Sequence, residues 1–178
     1  MTSEELLDLV FAAVAGAGTD AADRVYRPGD WPTQGDQYPV LKLRVLAETK
    51  QSLGKGQVQF SVTTTVQVVG EVSAAALPRD QGANDAERKL WRLARQAEVA
   101  VINSYPLFCQ VEQLASVQTQ LAFNSEGETH LGGIDMRLAF DHYQGEEDFA
   151  PIQADEILEV TVDATALRPA GAFLNFPS

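Results

Sequence analysis

Between Gln57 and Val69 the chain alternates with a period of two. Val58, Phe60, Val62, Val66 and Val68 fall on one side, and Gln57, Gln59, Ser61, Thr63, Thr65 and Gln67 on the other. Successive side chains of a strand point to opposite faces, whereas a helix repeats every ~3.6 residues. This segment is therefore a strand with one apolar and one polar face. At about 3.3 Å per residue it makes a ribbon of roughly 40 Å, longer than most strands. Partners with the same pattern are at hand. From Pro39 onward Leu41, Leu43, Val45 and Ala47 share one face while Lys42 and Arg44 share the other. Glu48 to Gly56, where Leu53 is the only apolar residue, is turn chemistry. The two segments predict a long hairpin whose end projects beyond the body. Three further strands are expected over about 110–123, 131–142 and 156–164. Ile134, Met136, Leu138 and Phe140 alternate with Asp135, Arg137, Ala139 and Asp141; Leu158, Val160, Val162 and Ala164 alternate with Glu159, Thr161 and Asp163.

Two helical patterns accompany the strands. Thr2, followed three residues on by Glu5, forms a capping box. Leu6, Leu9, Val10, Ala13 and Val14 then share one face, and Gly16 and Gly18 end the run. Asn84 with Glu87 caps a second helix that ends near Tyr105-Pro106. Its core face is Leu90, Leu93, Ala94, Ala97, Ala100 and Val101; Arg88, Arg92 and Arg95 form a stripe opposite, with Trp91, Val99 and Ile102 beside it. Residues 19–38 are irregular apart from Arg24-Val25-Tyr26-Arg27, and Pro78 to Ala83 is a loop. The order predicts one α+β domain over residues 1–167, a mainly antiparallel sheet with both helices packed on one face, and a loose tail at 168–178.

Charge narrows the function classes. The chain of 178 residues has a net charge of -12, which disfavours binding to nucleic acid of any sequence and docking on anionic membranes. Residues 126–163 hold eleven acids against one base, Arg137, so −10 of that total lies there. A molecule with an acidic side and an arginine-striped helix elsewhere suits head-to-tail association, which closes into rings when the rotation allows. The longest apolar run, Leu6 to Gly18, is interrupted by Asp8 and is shorter than the ~20 residues of a membrane span. Ala13-Val14-Ala15 resembles a signal-peptidase site, but Glu4 and Glu5 stand where an export signal needs cations, so no export signal is expected. The single cysteine, Cys109, excludes an intramolecular disulfide.

Chemical motifs are sparse. Gly16-Ala17-Gly18-Thr19-Asp20-Ala21 fits G-x-G-x-x-A, but a helix precedes it and Pro28 and Pro32 follow, the wrong context for a pyrophosphate. Cys109 with His130 or His142 would make a thiolate dyad; in Leu107-Phe108-Cys109 a buried, inert thiol is expected instead. Asp141 and His142, adjacent in a strand, point to opposite faces. Glu146-Glu147-Asp148 lacks the spaced ligands of a cation loop, and two histidines with one cysteine supply no zinc site. No catalytic residue, cofactor or metal is expected. Tyr26, Trp31 and Tyr38, in a Pro/Gly-rich segment, seal an edge of the core or form a contact surface, and Trp91 among its arginines has the composition of an interface anchor.

Over roughly residues 3–165 the layout resembles the tail terminator (tail completion) proteins of long-tailed bacteriophages. The features that carry the resemblance are the helix Glu4 to Ala15, the Arg24-Val25-Tyr26-Arg27 segment, the approach to Tyr38-Pro39-Val40-Leu41-Lys42-Leu43, the long hairpin, the helix Glu87 to Asn103, and the strands Ile134 to Phe140 and Ile157 to Val162. The resemblance implies a non-enzymatic homo-oligomer, a six-fold ring that stops tail-tube polymerisation and offers its other face to the head–tail connector protein. It implies location in the virion tail, and in the host cytoplasm during assembly. The tail tube protein would be a partner and DNA would only pass through. In such a ring Arg88, Arg92 and Arg95 are expected to face Asp135, Asp141 and Glu159 of the neighbour, and Lys50, Leu53 and Lys55 to reach the tube or an adjacent subunit. Other classes compatible with the residues are another neck or connector component, a monomeric module binding through the Tyr26–Tyr38 loop, and a hydrolase built on carboxylates.

Overall fold

The computed structural model of the chain describes residues 1–27, 33–34, 37–56, 58–75, 81–126 and 129–150. The expected strand over 156–164 and the tail at 168–178 lie outside the described residues. Helix α1 (Ser3–Gly16) begins on the reciprocal cap expected of it: the Glu5 amide donates to Thr2 Oγ1 at 3.2 Å and the Thr2 amide donates to Glu5 Oε2 at 2.7 Å. Leu6, Leu7, Val10 and Val14 bury one side of it. A turn at Gly18, whose φ of +61° suits a residue without Cβ, leads to the short strand β1 (Val25–Tyr26). Next come β2 (Val40–Ser52), β3 (Phe60–Ala75), α2 (Gln81–Ile102), the single turn α3 (Tyr105–Phe108), β4 (Gln113–Glu126), β5 (Thr129–Gln144) and a 3₁₀ turn, Glu146–Phe149.

These strands form one sheet in the order β1-β2-β3-β5-β4, antiparallel except where β1 runs parallel to β2. The chain is thus a single α+β domain. Both long helices lie on the same sheet face, because their buried residues share one cluster with the inward residues of β2, β3 and β5. Leu43, Val68 and Met136 make one inward row across these strands, and Leu41, Gly70 and Ile134 the next. Leu90, Leu93, Ala97 and Val101 of α2 close over them. Each leucine removed from water in this way contributes about 1.5–3 kcal/mol. At Gly70 neighbours from the sheet and from α2 crowd the backbone: a Cβ there would stand 2.6 Å from Ile134 Cγ2 and 3.2 Å from Leu93 Cδ2.

Several elements depart from expectation. The second hairpin strand starts at Phe60 and runs to Ala75, while β2 continues through expected turn residues to Ser52. The hairpin does not project, because β5 pairs with β3 along its whole length, from Phe60 to Ala75. Helix α2 begins at Gln81, inside the expected loop and ahead of the Asn84 cap, with Gly82 and Ala86 buried. A register shift between Val45 and Ala47 inserts one residue into β2, so Ala47, expected on the buried face, is exposed, and Glu48 comes to the helix side. A second shift, between Leu114 and Ser116, does the same in β4.

Candidate functional site

The outward side of α2 is the most distinctive surface. At ~100° per residue Arg88, Trp91, Arg95, Val99 and Ile102 fall within an arc of about 80°, opposite the buried leucines. Trp91 is 49% exposed, and Val99 and Ile102 are exposed with it. In the following turn, α3, Tyr105 is 80% exposed and Phe108 is exposed. Scattered apolar residues on a surface are ordinary; here a tryptophan and two further large apolar side chains share one narrow arc of a helix. The arginines divide in what they do. Arg92 Nε lies 3.0 Å from Asp20 Oδ2, and Gln96 Nε2 donates to Asp20 Oδ1 at 3.1 Å, tying the α1–β1 connection to α2. Arg95 pairs with Glu98 of its own helix at 3.0 Å. Arg88 makes no ion pair or hydrogen bond among the described residues.

Asp135 and Asp141 sit on the sheet face turned away from α1 and α2. Both are engaged there. Asp135 accepts from Gln67 Nε2 at 2.8 Å and from Arg137 Nη2 at 2.8 Å, and Arg44 Nε donates to Gln67 Oε1 at 2.6 Å. The result is a polar ladder across β2, β3 and β5. Asp141 accepts from Thr63 Oγ1 and from Gln113 Nε2, each at 2.7 Å, and these bonds hold its carboxyl below the usual range. The arginine stripe, on the outer side of α2, and these two acids, on the outer face of the sheet, are therefore separated by both layers of the domain. Glu159 lies outside the described residues.

At the hairpin end Leu53 is 57% exposed and Lys55 is exposed. Lys50 is anchored to the body: it pairs with Glu48 at 3.1 Å and lies 5.1 Å from the ring centre of Phe149, which meets Phe60 edge-on at 5.5 Å. Of the loop aromatics, Tyr26 is exposed, Tyr38 is half-buried and precedes a cis Pro39, and Trp31 lies outside the described residues.

A polar relay that runs from the surface into the core has no counterpart among the sequence expectations. Ser3 Oγ bonds the Glu48 carboxylate and lies 2.7 Å from Thr64 Oγ1, which is 3.0 Å from His142 Nε2. Thr64 and His142 are fully buried, and His142 Nδ1 has no hydrogen-bond partner among the described residues. Burial, reinforced by the Met1 amino group, holds the imidazole below its ordinary pKa. Nearby, Met1 N donates to Asp148 Oδ1 at 2.6 Å, and Gln144 Nε2 to the Met1 carbonyl at 2.7 Å. With its ring shut away from solvent, the relay fastens the start of α1 to β2, β3 and β5. Its signal was legible: continuing the inward period past Phe140 lands on His142 and then Gln144. Cys109, expected to be buried, is exposed just after α3. The side chain of His130 lies outside the described part. The glycine motif at Gly16 follows α1 and leads to β1, with no helix after it. Among the described residues no cluster of three or more His, Cys, Asp or Glu side chains is placed to hold a metal ion, and no helix is long and apolar enough to cross a membrane.

Fold and surfaces together define an α+β domain with an apolar, arginine-flanked helix face. No protein-family model and no curated protein sequence matches the chain.

Proposed function

We propose that this chain is a structural tail protein of a phage or prophage, a tail terminator that caps the tail tube as a homo-oligomeric ring and forms the head-joining surface. The reading rests on the element order that carries the resemblance. One observation supports it above the others: the Trp91 and arginine face of α2 and the sheet face bearing Asp135 and Asp141 are the two opposite outer faces of a helix-on-sheet domain. Faces that differ in this way cannot form a self-complementary two-fold contact with each other, but they can repeat head to tail, and such contacts close into rings when the rotation allows. Trp91, Val99 and Ile102 would provide the buried area and the arginines the orientation. The acidic net charge suits a channel through which DNA slides without adhering.

Native mass spectrometry over a concentration series tests the reading. The unmodified chain is expected to give a dominant hexamer. The triple reversal Arg88→Glu, Arg92→Glu, Arg95→Glu is expected to give monomer with an unchanged circular dichroism spectrum. A ring that persists in the triple variant removes the arginines from the contact. A monomer at every concentration counts against self-assembly and favours a monomeric binding module.

A further inference from the structure

Where the amino-terminal half of α2 meets the entry to β2 and the far end of β3, the molecule has an open cleft of about 500 Å³. Tyr38, Pro39, Val72 and Ser73 line it from the β2 and β3 side. Among the described residues its other lining is Arg88, Lys89 and Arg92 with one carboxylate, Asp20. Three cations facing one acid is the reverse of the chain's own balance of 13 bases to 25 acids, and Asp20 is already taken by Arg92 and Gln96. Neither Arg88 nor Lys89 has an ion pair or hydrogen bond among the described residues. The Tyr38 hydroxyl is held in its protonated form by burial and by the negative charge of Glu71, so it remains a donor. Glu71 itself is bound by Lys42 at 3.0 Å and by Thr33.

We infer that this cleft binds a small organic anion, with its carboxylate or phosphate oxygens on Arg88 and Lys89 and an apolar or aromatic body against Tyr38, Pro39 and Val72. Arginine and lysine are the side chains that recognise such oxyanions, the first as a planar fork and the second as a point charge. The volume lies within the ~300–1,000 Å³ range of ligand pockets and is more than a bare inorganic ion fills. Every group it uses belongs to one chain, but Arg88 and Arg92 also lie in the proposed ring contact, so an anion and a neighbouring protomer would compete for them.

The test is a titration of the full chain followed by backbone amide shifts, with inorganic phosphate, benzoate and adenosine 5′-monophosphate as separate probes. Saturable shifts confined to residues 20, 38, 72–73 and 88–92 are expected, with benzoate and the mononucleotide each binding at least about tenfold tighter than inorganic phosphate. The ranking of those two tells a carboxylate site from a phosphate site. Arg88→Ala with Lys89→Ala should raise Kd by about tenfold or more, and Asp20→Asn, which releases Arg92, should lower it about threefold. Arg44→Gln, on the other sheet face, should leave it unchanged. The inference is overturned by shifts that are diffuse or do not saturate by about 20 mM. Equal affinity of phosphate and the organic probes overturns it too, as does a double variant that binds within about twofold of the parent.

Discussion

Gly70 gives the sharpest test of how the helix layer meets the sheet. It pairs directly with Ile134 on β5 and lies beneath Leu93 of α2. In Gly70→Ala the new Cβ would stand 2.6 Å from Ile134 Cγ2, where carbon atoms in contact prefer about 3.5–4.0 Å. Ile134 is buried and β-branched, so its Cγ2 has no free rotamer to move into. Overpacking of this kind costs about 1–3 kcal/mol, offset by the ~0.5–1 kcal/mol by which glycine weakens a strand interior. A net loss of about 0.5–2 kcal/mol is expected. Ile134→Ala alone deletes the clashing atom along with others and costs about 2–5 kcal/mol through the cavity it leaves. In the double variant the methyl added at position 70 would enter that cavity, so Gly70→Ala should be neutral or stabilising in the Ile134→Ala background. The expected coupling is about 1–2 kcal/mol. Urea unfolding followed by far-UV circular dichroism measures it, at one fixed protein concentration so that assembly does not enter the comparison. A cost for Gly70→Ala that is the same in both backgrounds within about 0.5 kcal/mol would refute the close approach.

Thr2→Ala removes the hydroxyl that receives the Glu5 amide and should destabilise by about 1 kcal/mol, read as a lower urea midpoint at unchanged slope; a shift smaller than about 0.3 kcal/mol would mean the cap carries no stability. His142 predicts a pH dependence. Its folded-state pKa is lowered by burial, so as pH falls below about 6.5 the unfolded chain takes up a proton the folded chain refuses, and stability declines until the lowered value is reached. As pH drops below about 6.5, and before the carboxylates begin to protonate, melting temperature should fall in the unmodified chain and stay flat in His142→Gln; equal slopes would sink the assignment. Both proteins should then lose stability together below about pH 4.5, as Glu48, Asp141 and Asp148 protonate. These carboxyls are held low by hydrogen bonds from Ser3, from Thr63 and from the Met1 amino group respectively.

What was legible in the sequence is whatever a short periodic pattern encodes. The inward set Val62, Val66 and Val68, the outward Asp135 and Asp141, the Thr2–Glu5 cap and the Leu90–Leu93–Ala97–Val101 face are all local, and each is found where its period puts it. The misses have a common cause. The insertions at Val45/Ala47 and Leu114/Ser116 are properties of a strand pair, so no single segment announces them, yet each reverses every side chain beyond it. The first of them brings Glu48 to Ser3, and with it the relay to His142. The start of α2 at Gln81 is likewise tertiary: Gly82 and Ala86, inside its first two turns, are buried and small enough to pack against the layer below. The cationic cleft was invisible because Tyr38, Val72 and Arg88 are far apart in the chain and meet only once the sheet and α2 are assembled.

The same distinction bears on how the proposed ring would hold together. Counted along the chain, Asp135 and Asp141 belong to an acidic block available to any cation. In the fold each already accepts hydrogen bonds from two side chains, so an arginine of a neighbour would have to share or displace Gln67, Arg137, Thr63 or Gln113. Breaking such bonds to form an ion pair at a surface gains little, because exposed pairs contribute only about 0–1 kcal/mol. The field of the acidic face is not lost in this way: hydrogen bonds to a carboxylate leave its charge in place, and that charge acts over about 8–10 Å at moderate salt. Charge would therefore orient the approaching protomer. The free energy of the contact would come from covering Trp91, Val99 and Ile102, which the isolated chain leaves exposed to water.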